Sequence, residues 1–129
     1  MKVGAIIAEY NPFHNGHDYH ITQTAALQQN DGVIAVMSGN FTQRGETAVF
    51  DKWTRTEMAL RCGVDLVLEL PAAFAVRSAG YFARGAVLSL AATGVVTHLS
   101  CGVESQTATE LQVLADFLAE ESPQFQEAL

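Results

Sequence analysis

Four short, nearly continuous apolar runs divide this chain at regular intervals, and they constrain its fold more than any other feature. They cover residues 3–8, 33–37, 64–70 and 95–100. A strand with one wet face alternates apolar and polar residues, whereas a strand covered on both faces is apolar throughout. The runs therefore predict four strands buried in the middle of a layered domain.

Helix signals fill the intervals between these runs. The clearest helix starts at Ala79, with apolar residues at i+3, i+4, i+7, i+8, i+11 and i+12; Ser78 is placed to cap it and Gly94 to end it. Two more helices are predicted over residues 18–29 and from an Asp51 N-cap to about Arg61, before Gly63. Later signals are a capping box at 107–110, an apolar face of Leu111, Leu114, Ala115 and Leu118, and a further helix start at Ser122 and Pro123.

Strands that alternate with helices indicate an α/β fold with a Rossmann-like, doubly wound parallel sheet and helices on both faces. The length of 129 residues fits one domain. Ligands of such sheets bind beyond the carboxyl ends of the strands. This rule selects four loops, at residues 9–17, 38–46, 69–74 and 101–105.

Charge and composition limit the partners of this segment. Apolar residues make up 49% and charged residues 16% of the chain, and the formal net charge is -7. Such an acidic segment does not supply a large basic surface for nucleic acid by itself, so an RNA partner would need phosphate contacts from another domain. The amino-terminal apolar run is too short for a signal peptide or a membrane span, and the two cysteines have no metal or disulfide spacing. We therefore expect a cytoplasmic protein with free thiols and no membrane contact.

The first loop holds the residues with the strongest chemical signal, His14, Asn15, Gly16 and His17. A buried strand that runs into a helix offers backbone N–H groups and a positive dipole end to phosphates, and Gly16 permits a close approach. The two imidazoles can donate hydrogen bonds to phosphate oxygens as charge develops. Two alternatives remain: structural histidines, or a metal held with His20, although three residues at i+3 steps drift around a helix.

This loop also carries a resemblance to a known family. The stretch Glu-Tyr-Asn-Pro-Phe-His-Asn-Gly-His at 9–17 resembles the start of the bacterial tRNA(Met) cytidine acetate ligases, a branch of the HIGH nucleotidyltransferases. HNGH alone indicates adenylyl transfer. Together with SGNFTQRGE at 38–46 and ELP at 69–71, it is specific to this family, and similar residues continue to about Glu104.

The resemblance implies an enzyme that activates acetate with ATP, together with magnesium, to acetyl-adenylate and then acetylates the wobble cytidine of elongator tRNA(Met). It implies catalytic roles for His14 and His17. The ATP-binding residues that it implies are Ile7, Ala8, Glu9, Tyr10, Asn11, Pro12, Phe13, His14, Asn15, Gly16, His17, Asp18, Tyr19, His20 and Gly102. Family members have Phe-Gly-Ser-Glu or similar around that glycine, where this chain has Cys-Gly-Val-Glu.

Family members are also much longer, so we expect residues 1–129 to be an ATP-binding fragment. Later ATP contacts and most tRNA contacts are expected beyond Leu129.

The second loop supplies candidates for the acyl group or second substrate. Arg44 could bind a carboxylate or phosphate, and Asn40 could donate to a small acyl group. The alternative for Arg44 is a surface ion pair with Glu46 or Asp51.

Four residues near this loop have simpler interpretations. Trp53 is predicted to be core, Lys52 a solvated charge and Glu69 an anchor at a strand end. Arg55 is predicted to lie on a helix face, with contact to the nucleotide as the alternative.

Two other functions stay open at this point. One is a HIGH adenylyltransferase that joins AMP to a phosphorylated metabolite, although the second loop offers only Arg44 for that phosphate. The other is a non-catalytic module that binds a nucleotide.

Overall fold

A computed structural model describes residues 1–103 and 107–119. Within these residues the strands are β1 (Val3–Ala8), β2 (Gly32–Ser38), β3 (Leu66–Leu70) and β4 (His98–Ser100). The helices are α1 (Asn15–Ala26), α2 (Lys52–Arg61), α3 (Ala72–Ala75), α4 (Ala79–Ala92) and α5 (Ala108–Ala119), and a 3-10 turn at Leu27–Gln29 follows α1. None of the helices described here is long and apolar enough to cross a bilayer.

The four strands form one parallel sheet in the order β3-β2-β1-β4. β1 pairs with β2 from Val3 opposite Gly32, and on its other edge Ile6 lies opposite Ser100 of β4. The chain moves outward from β1 to β3 and then returns to the opposite side of β1. The crevice between β1 and β4 is thus the switch point, where parallel α/β sheets hold their ligands.

Two buried clusters cover the two faces of the sheet. On one face Val3, Ala5 and Val36 pack with Ala86 and Leu90 of α4. The other face contains Ile6, Ala35 and Met37 against Ile21 of α1 and Ala59 of α2, and Tyr10 joins this cluster. The predicted doubly wound α/β fold is therefore confirmed.

Several local predictions are also confirmed. Asp51 caps α2 by accepting from the N–H groups of Trp53 and Thr54, at 2.8 and 3.1 Å. Gly63 and Gly94 have φ of 105° and 68°, values that favour glycine after a helix. Thr107 and Glu110 form the expected capping box at the start of α5.

Other local predictions are wrong or incomplete. α1 begins at Asn15 rather than near residue 18, because His14 caps it. Ser78 occupies the N-cap position of α4 but makes no hydrogen bond with its side chain. The short α3 follows Pro71 without a sequence signal of its own, and β3 and β4 are shorter than their apolar runs. The helix start expected at 122–123 lies outside the described residues.

Candidate active site

The loop between β1 and α1 is held by an aromatic cluster. Tyr10 is almost completely buried, and its ring centroid lies 5.0 Å from those of both Phe13 and His17. Its φ of 50° is in the left-handed region, which a tyrosine adopts only when its surroundings enforce it. Burial raises the pKa of Tyr10 to about 12, so its phenol stays neutral. The ring fixes the point from which the loop turns toward α1.

The two histidines of the HNGH stretch cap α1 with their own rings. His14 is the N-cap residue, and its Nδ1 accepts from the N–H of Gly16 at 3.1 Å. The N–H of His14 donates in turn to Nδ1 of His17, at 3.2 Å. This is a capping box in which imidazoles replace the usual hydroxyl and carboxylate.

The capping box also determines which nitrogens are protonated. A neutral imidazole has one donor and one acceptor nitrogen, and in both rings Nδ1 accepts from a backbone N–H. The proton of each neutral ring is therefore on Nε2. Both residues line the same cavity, and the capping bonds leave the Nε2–H group of each ring unused.

The rings of His14 and His17 are stacked, with centroids 3.7 Å apart and planes at 23°. Burial lowers the pKa of His17, and the neighbouring His14 and His20 lower it further. Burial and the neighbouring rings thus favour a neutral His17. Nδ1 of His17 can accept the capping hydrogen bond only when this nitrogen carries no proton.

Gly16 has a steric role in this arrangement. A Cβ at this position would lie 2.9 Å from Cε1 and 3.0 Å from Nδ1 of His14. Such contacts would push away the ring that caps the helix. The absence of a side chain at Gly16 therefore leaves room for the His14 imidazole.

A cavity of about 810 Å³ lies beside these histidines, at the switch point of the sheet. One wall is the exposed side of α1, and the opposite wall is the end of β4 and the following segment. The lining residues are Ile7, His14, Gly16, His17, Tyr19, His20, Gln23, Leu27, Leu99, Ser100, Cys101, Gly102 and Val103. The volume is in the range of small-molecule and cofactor sites.

A group of polar side chains joins the two walls. Nε2 of His20 lies 3.0 Å from Oγ of Ser100, and Oγ1 of Thr24 lies 2.8 Å from the same oxygen. The Thr24 hydroxyl also donates to the carbonyl of His20, at 2.8 Å. Burial lowers the pKa of His20, which favours the neutral ring.

The structure divides the ATP-binding residues expected from sequence into two groups. Seven of them line the cavity: Ile7, His14, Gly16, His17, Tyr19, His20 and Gly102. The other eight lie at the end of β1, in the loop that follows or in the first turn of α1, without lining the cavity: Ala8, Glu9, Tyr10, Asn11, Pro12, Phe13, Asn15 and Asp18.

Two members of the second group join the first loop to the second loop. The Glu9 carboxylate accepts from the N–H of Gln43 at 2.6 Å, and Oδ1 of Asn11 accepts from the N–H of Val49 at 2.7 Å. Gln43 then donates to the carbonyl of Arg77, at 2.7 Å. Glu9 and Asn11 therefore have structural partners of their own.

Arg55 organises the carboxyl ends of β1 and β2. Its side chain is completely buried, and its guanidinium donates to the carbonyls of Glu9 at 2.6 Å, Ser38 at 3.2 Å and Gly39. A fourth bond reaches the carbonyl of Phe50 at 3.0 Å. Burial lowers the pKa of Arg55, while nearby carboxylates, Glu9 first among them, oppose this change. The prediction of a helix-face residue is wrong for Arg55.

The candidate second-substrate residues lie apart from the large cavity. Oδ1 of Asn40 accepts from the N–H of Lys52 at 3.0 Å, and Asn40 lines a separate cavity of about 210 Å³. Arg44 is exposed, and among the described residues no ion pair links it to Glu46 or Asp51. Its predicted contact with an acyl group or phosphate stays a prediction.

The surroundings of the second loop differ from expectation at two positions. Trp53 is 73% exposed, so its assignment to the core is wrong. Lys52 forms an ion pair with Glu69 at 2.6 Å instead of lying free in solvent. Glu69 is thereby confirmed as a polar anchor at the end of β3.

Sequence reasoning missed part of the cavity wall. Ser100 was assigned only to a strand, and Gln23 and Leu27 only to a helix. The position of Gln23 and Leu27 could have been inferred, because residues 20, 23 and 27 lie on the same helix face as His17. Within residues 1–103 and 107–119, no group of three His, Cys, Asp or Glu side chains is placed to hold a metal ion.

A family model described as HIGH Nucleotidyl Transferase matches residues 1–129. The chain therefore belongs to the HIGH nucleotidyl transferase family, in agreement with the histidine-capped helix at the switch point of its sheet.

Individual proteins within this family are also similar to the chain in sequence and structure. The chain is 53% identical over 129 residues to a tRNA(Met) cytidine acetate ligase of Syntrophomonas wolfei and 57% identical over 121 residues to that of Thermotoga maritima. It covers 31% and 29% of those proteins, so it spans about a third of their length. A crystal structure of Thermotoga maritima TmcAL bound with alpha-thio ATP matches with a TM-score of 0.90 and 56% identity, over 98% of this chain and 31% of that one.

The carbonyl network of Arg55 predicts a large effect on stability. We expect Arg55→Met to lower the free energy of unfolding by about 3 kcal/mol or more, because buried carbonyls lose a charged donor. Arg61 on the same helix is the control, since its ion pair with Glu57 is exposed. Arg61→Met should change the free energy by less than about 0.5 kcal/mol. Urea unfolding of both variants is the measurement, and equal effects would contradict a special role for Arg55.

The lowered pKa of His17 predicts a pH-dependent stability. Because the folded pKa lies below that of the unfolded chain, its contribution is complete above about pH 6.5 and is lost as pH falls through the folded value. Urea unfolding at pH 8 and pH 5.5 should show this loss. His17→Gln keeps a capping acceptor without titrating. It should therefore lose less stability than the wild type on acidification; an equal loss would remove His17 as the cause.

Proposed function

We propose that this chain is the ATP-binding part of an enzyme that activates acetate to acetyl-adenylate and acetylates the wobble cytidine of elongator tRNA(Met). One observation carries the proposal: two stacked histidines, whose Nδ1 atoms are used by the helix cap, line a cavity at the amino end of a helix and the switch point of the sheet. The names of the relatives, and the alpha-thio ATP bound to one of them, support the choice of substrates.

The first step is an in-line displacement at phosphorus. A carboxylate oxygen of acetate forms a bond to the α-phosphorus of ATP, and the bond between this phosphorus and the bridging oxygen to the β-phosphorus breaks. Pyrophosphate leaves with that electron pair, and acetyl-adenylate remains. No protein nucleophile takes part, so the protein contributes positioning and electrostatic stabilisation.

His14 and His17 provide this stabilisation. Their Nε2–H groups donate to phosphate oxygens, whose negative charge shifts during the displacement, and the positive end of the α1 dipole acts in the same direction. The Gly16 N–H is already bonded to the His14 ring, so the imidazoles rather than this amide are the donors. Both rings bind through Nε2–H and are held in place by their capping bonds.

Magnesium enters the proposal only with the nucleotide. The part of the chain that the structure describes has no carboxylate and imidazole cluster suited to a metal. Magnesium commonly binds through substrate phosphates and water. Magnesium would therefore be held by the nucleotide phosphates and water, and it would offset their negative charge.

The second step consumes the adenylate. The exocyclic amine of the cytidine attacks the acetyl carbonyl, an N–C bond forms, AMP leaves with the C–O electron pair, and the amine loses a proton. A wobble base must be splayed out of its loop to reach this site. The acidic charge of -7 does not favour tight RNA binding by these residues alone.

A test of the first step compares binding with rate. In a chain of the relatives' length, we expect His14→Ala with His17→Ala to lower pyrophosphate release from ATP and acetate by about 100-fold or more. ATP affinity should fall much less, because the strongest bonds form in the transition state. Arg61→Ala is the control, and wild-type release by the double variant would exclude the histidines. ATP binding without acetate-dependent release would instead favour a different adenylyltransferase or a binding module.

A second test concerns the RNA. We expect residues 1–129 to bind ATP but to bind elongator tRNA(Met) weakly or not at all at near-physiological salt, because few cations are available to neutralise phosphates. Fluorescence anisotropy can measure this, with the full-length Thermotoga maritima relative as the positive control. Micromolar binding by residues 1–129 would contradict the prediction and place RNA contacts near Arg44, Lys52 and Arg77.

A further inference from the structure

The hydrogen bonds around His20 indicate the position of its ring proton. The Thr24 hydroxyl has one proton but lies 2.8 Å from two acceptors, the His20 carbonyl and Oγ of Ser100. Only one assignment gives each contact in this group its own proton: Thr24 donates to the carbonyl, which can only accept, and Ser100 donates to Thr24. Ser100 therefore accepts from His20, so Nε2 of His20 is protonated.

The result is a closed chain of donors: His20 donates to Ser100, Ser100 to Thr24, and Thr24 back to the His20 carbonyl. In a neutral ring, Nδ1 of His20 is then an acceptor, and no described residue donates to it. Burial disfavours the charged ring, which would lose this acceptor. Among the histidines that line the cavity, His20 thus has an acceptor nitrogen to offer, whereas His14 and His17 have N–H donors.

An acceptor nitrogen selects its ligand group by chemistry. Ionised phosphate oxygens carry no proton, so they repel Nδ1 of His20 and bind to the Nε2–H groups of His14 and His17 instead. The nucleoside of ATP has N–H and O–H donors. The wall beyond His20 is mostly apolar, with Leu27, Leu99 and Val103, and suits a base and its ribose.

We propose that Ser100 and Thr24 are positioning residues that hold His20 with Nδ1 as an acceptor for an N–H or O–H donor of the bound nucleoside. This proposal rests on the proposed function, because it takes the ligand to be ATP. The two sources of such a donor are the adenine amino group and the ribose hydroxyls. His20 then orients the nucleotide, with its nucleoside along α1 and its phosphates at the helix start.

The first experiment examines the ring without any ligand. Nitrogen-15 NMR of the imidazoles distinguishes a protonated from an unprotonated ring nitrogen. We expect a single Nε2–H tautomer for His20 in the wild type, a mixture in Ser100→Ala, and a return to one tautomer in Ser100→Thr. Urea unfolding verifies that each variant is folded. A wild-type His20 with its proton on Nδ1, or an unchanged tautomer in Ser100→Ala, would overturn the positioning role.

The second experiment identifies the donor by calorimetry. The probes are ATP, its 2′-deoxy and 3′-deoxy analogues, and purine riboside triphosphate, which lacks the amino group. We expect one class of analogue to bind the wild type up to about 10-fold more weakly than ATP, as for one lost hydrogen bond. In Ser100→Ala this difference should shrink, and in Ser100→Thr it should return.

The outcomes separate this proposal from the proposed function. A penalty for deoxy analogues identifies the ribose, and a penalty for purine riboside triphosphate identifies the adenine amine. If all analogues bind the wild type as ATP does, the role of His20 is wrong while ATP binding stands. If the folded wild type does not bind ATP, both proposals fail.

Discussion

The buried guanidinium of Arg55 is the interaction on which the arrangement of the site depends. The last carbonyls at the carboxyl end of a parallel sheet lack hydrogen-bond partners on neighbouring strands. A buried carbonyl without a donor destabilises the folded state. Arg55 supplies donors to the ends of β1 and β2 and to the segment that precedes α2. Its planar set of five N–H groups suits this task, which a single ammonium group could not perform. The charge is stabilised by backbone dipoles, with carboxylates farther away.

The histidines show how one residue type can serve opposite purposes on one helix. His14 and His17 use Nδ1 for the backbone, and this use leaves Nε2–H free of the capping bonds. His20 uses Nε2 for Ser100, which leaves Nδ1. The same ring therefore provides a donor or an acceptor according to the nitrogen that the protein occupies. The bonds from each ring to the backbone or to Ser100 therefore determine which histidines are donors and which is an acceptor, and no charged side chain is needed.

Much of the fold was predictable because its signals are local. Continuous apolar strands, the Asp51 cap and the glycines at helix ends depend on residues close in sequence, and the structure confirms them. Arg55 and Trp53 were misassigned for the opposite reason. Whether a helical side chain points inward depends on the packing of α2 against the sheet, and an arginine that binds distant carbonyls leaves no local pattern.

Part of the geometry of the candidate site was also predictable. His14, Gly16 and His17 of the HNGH stretch line the same cavity as Gly102, which the sequence assigned to the same site. The pairing of His20 with Ser100 joins residues 80 positions apart, so spacing alone could not reveal it. The use of both His14 and His17 rings as helix caps was likewise missed, because sequence rules for caps are built on hydroxyls and carboxylates.

The bonds from Glu9 and Asn11 to the amides of Gln43 and Val49 have a consequence for motion. The two bonds join residues that are 34 and 38 positions apart in sequence, so neither loop can move away without breaking the hydrogen bonds of both amides. Proteins open in cooperative units whose members exchange their amide hydrogens together. We therefore expect the loop that carries the histidines and the second loop to open together, and exchange of the Gln43 and Val49 amides should report this opening.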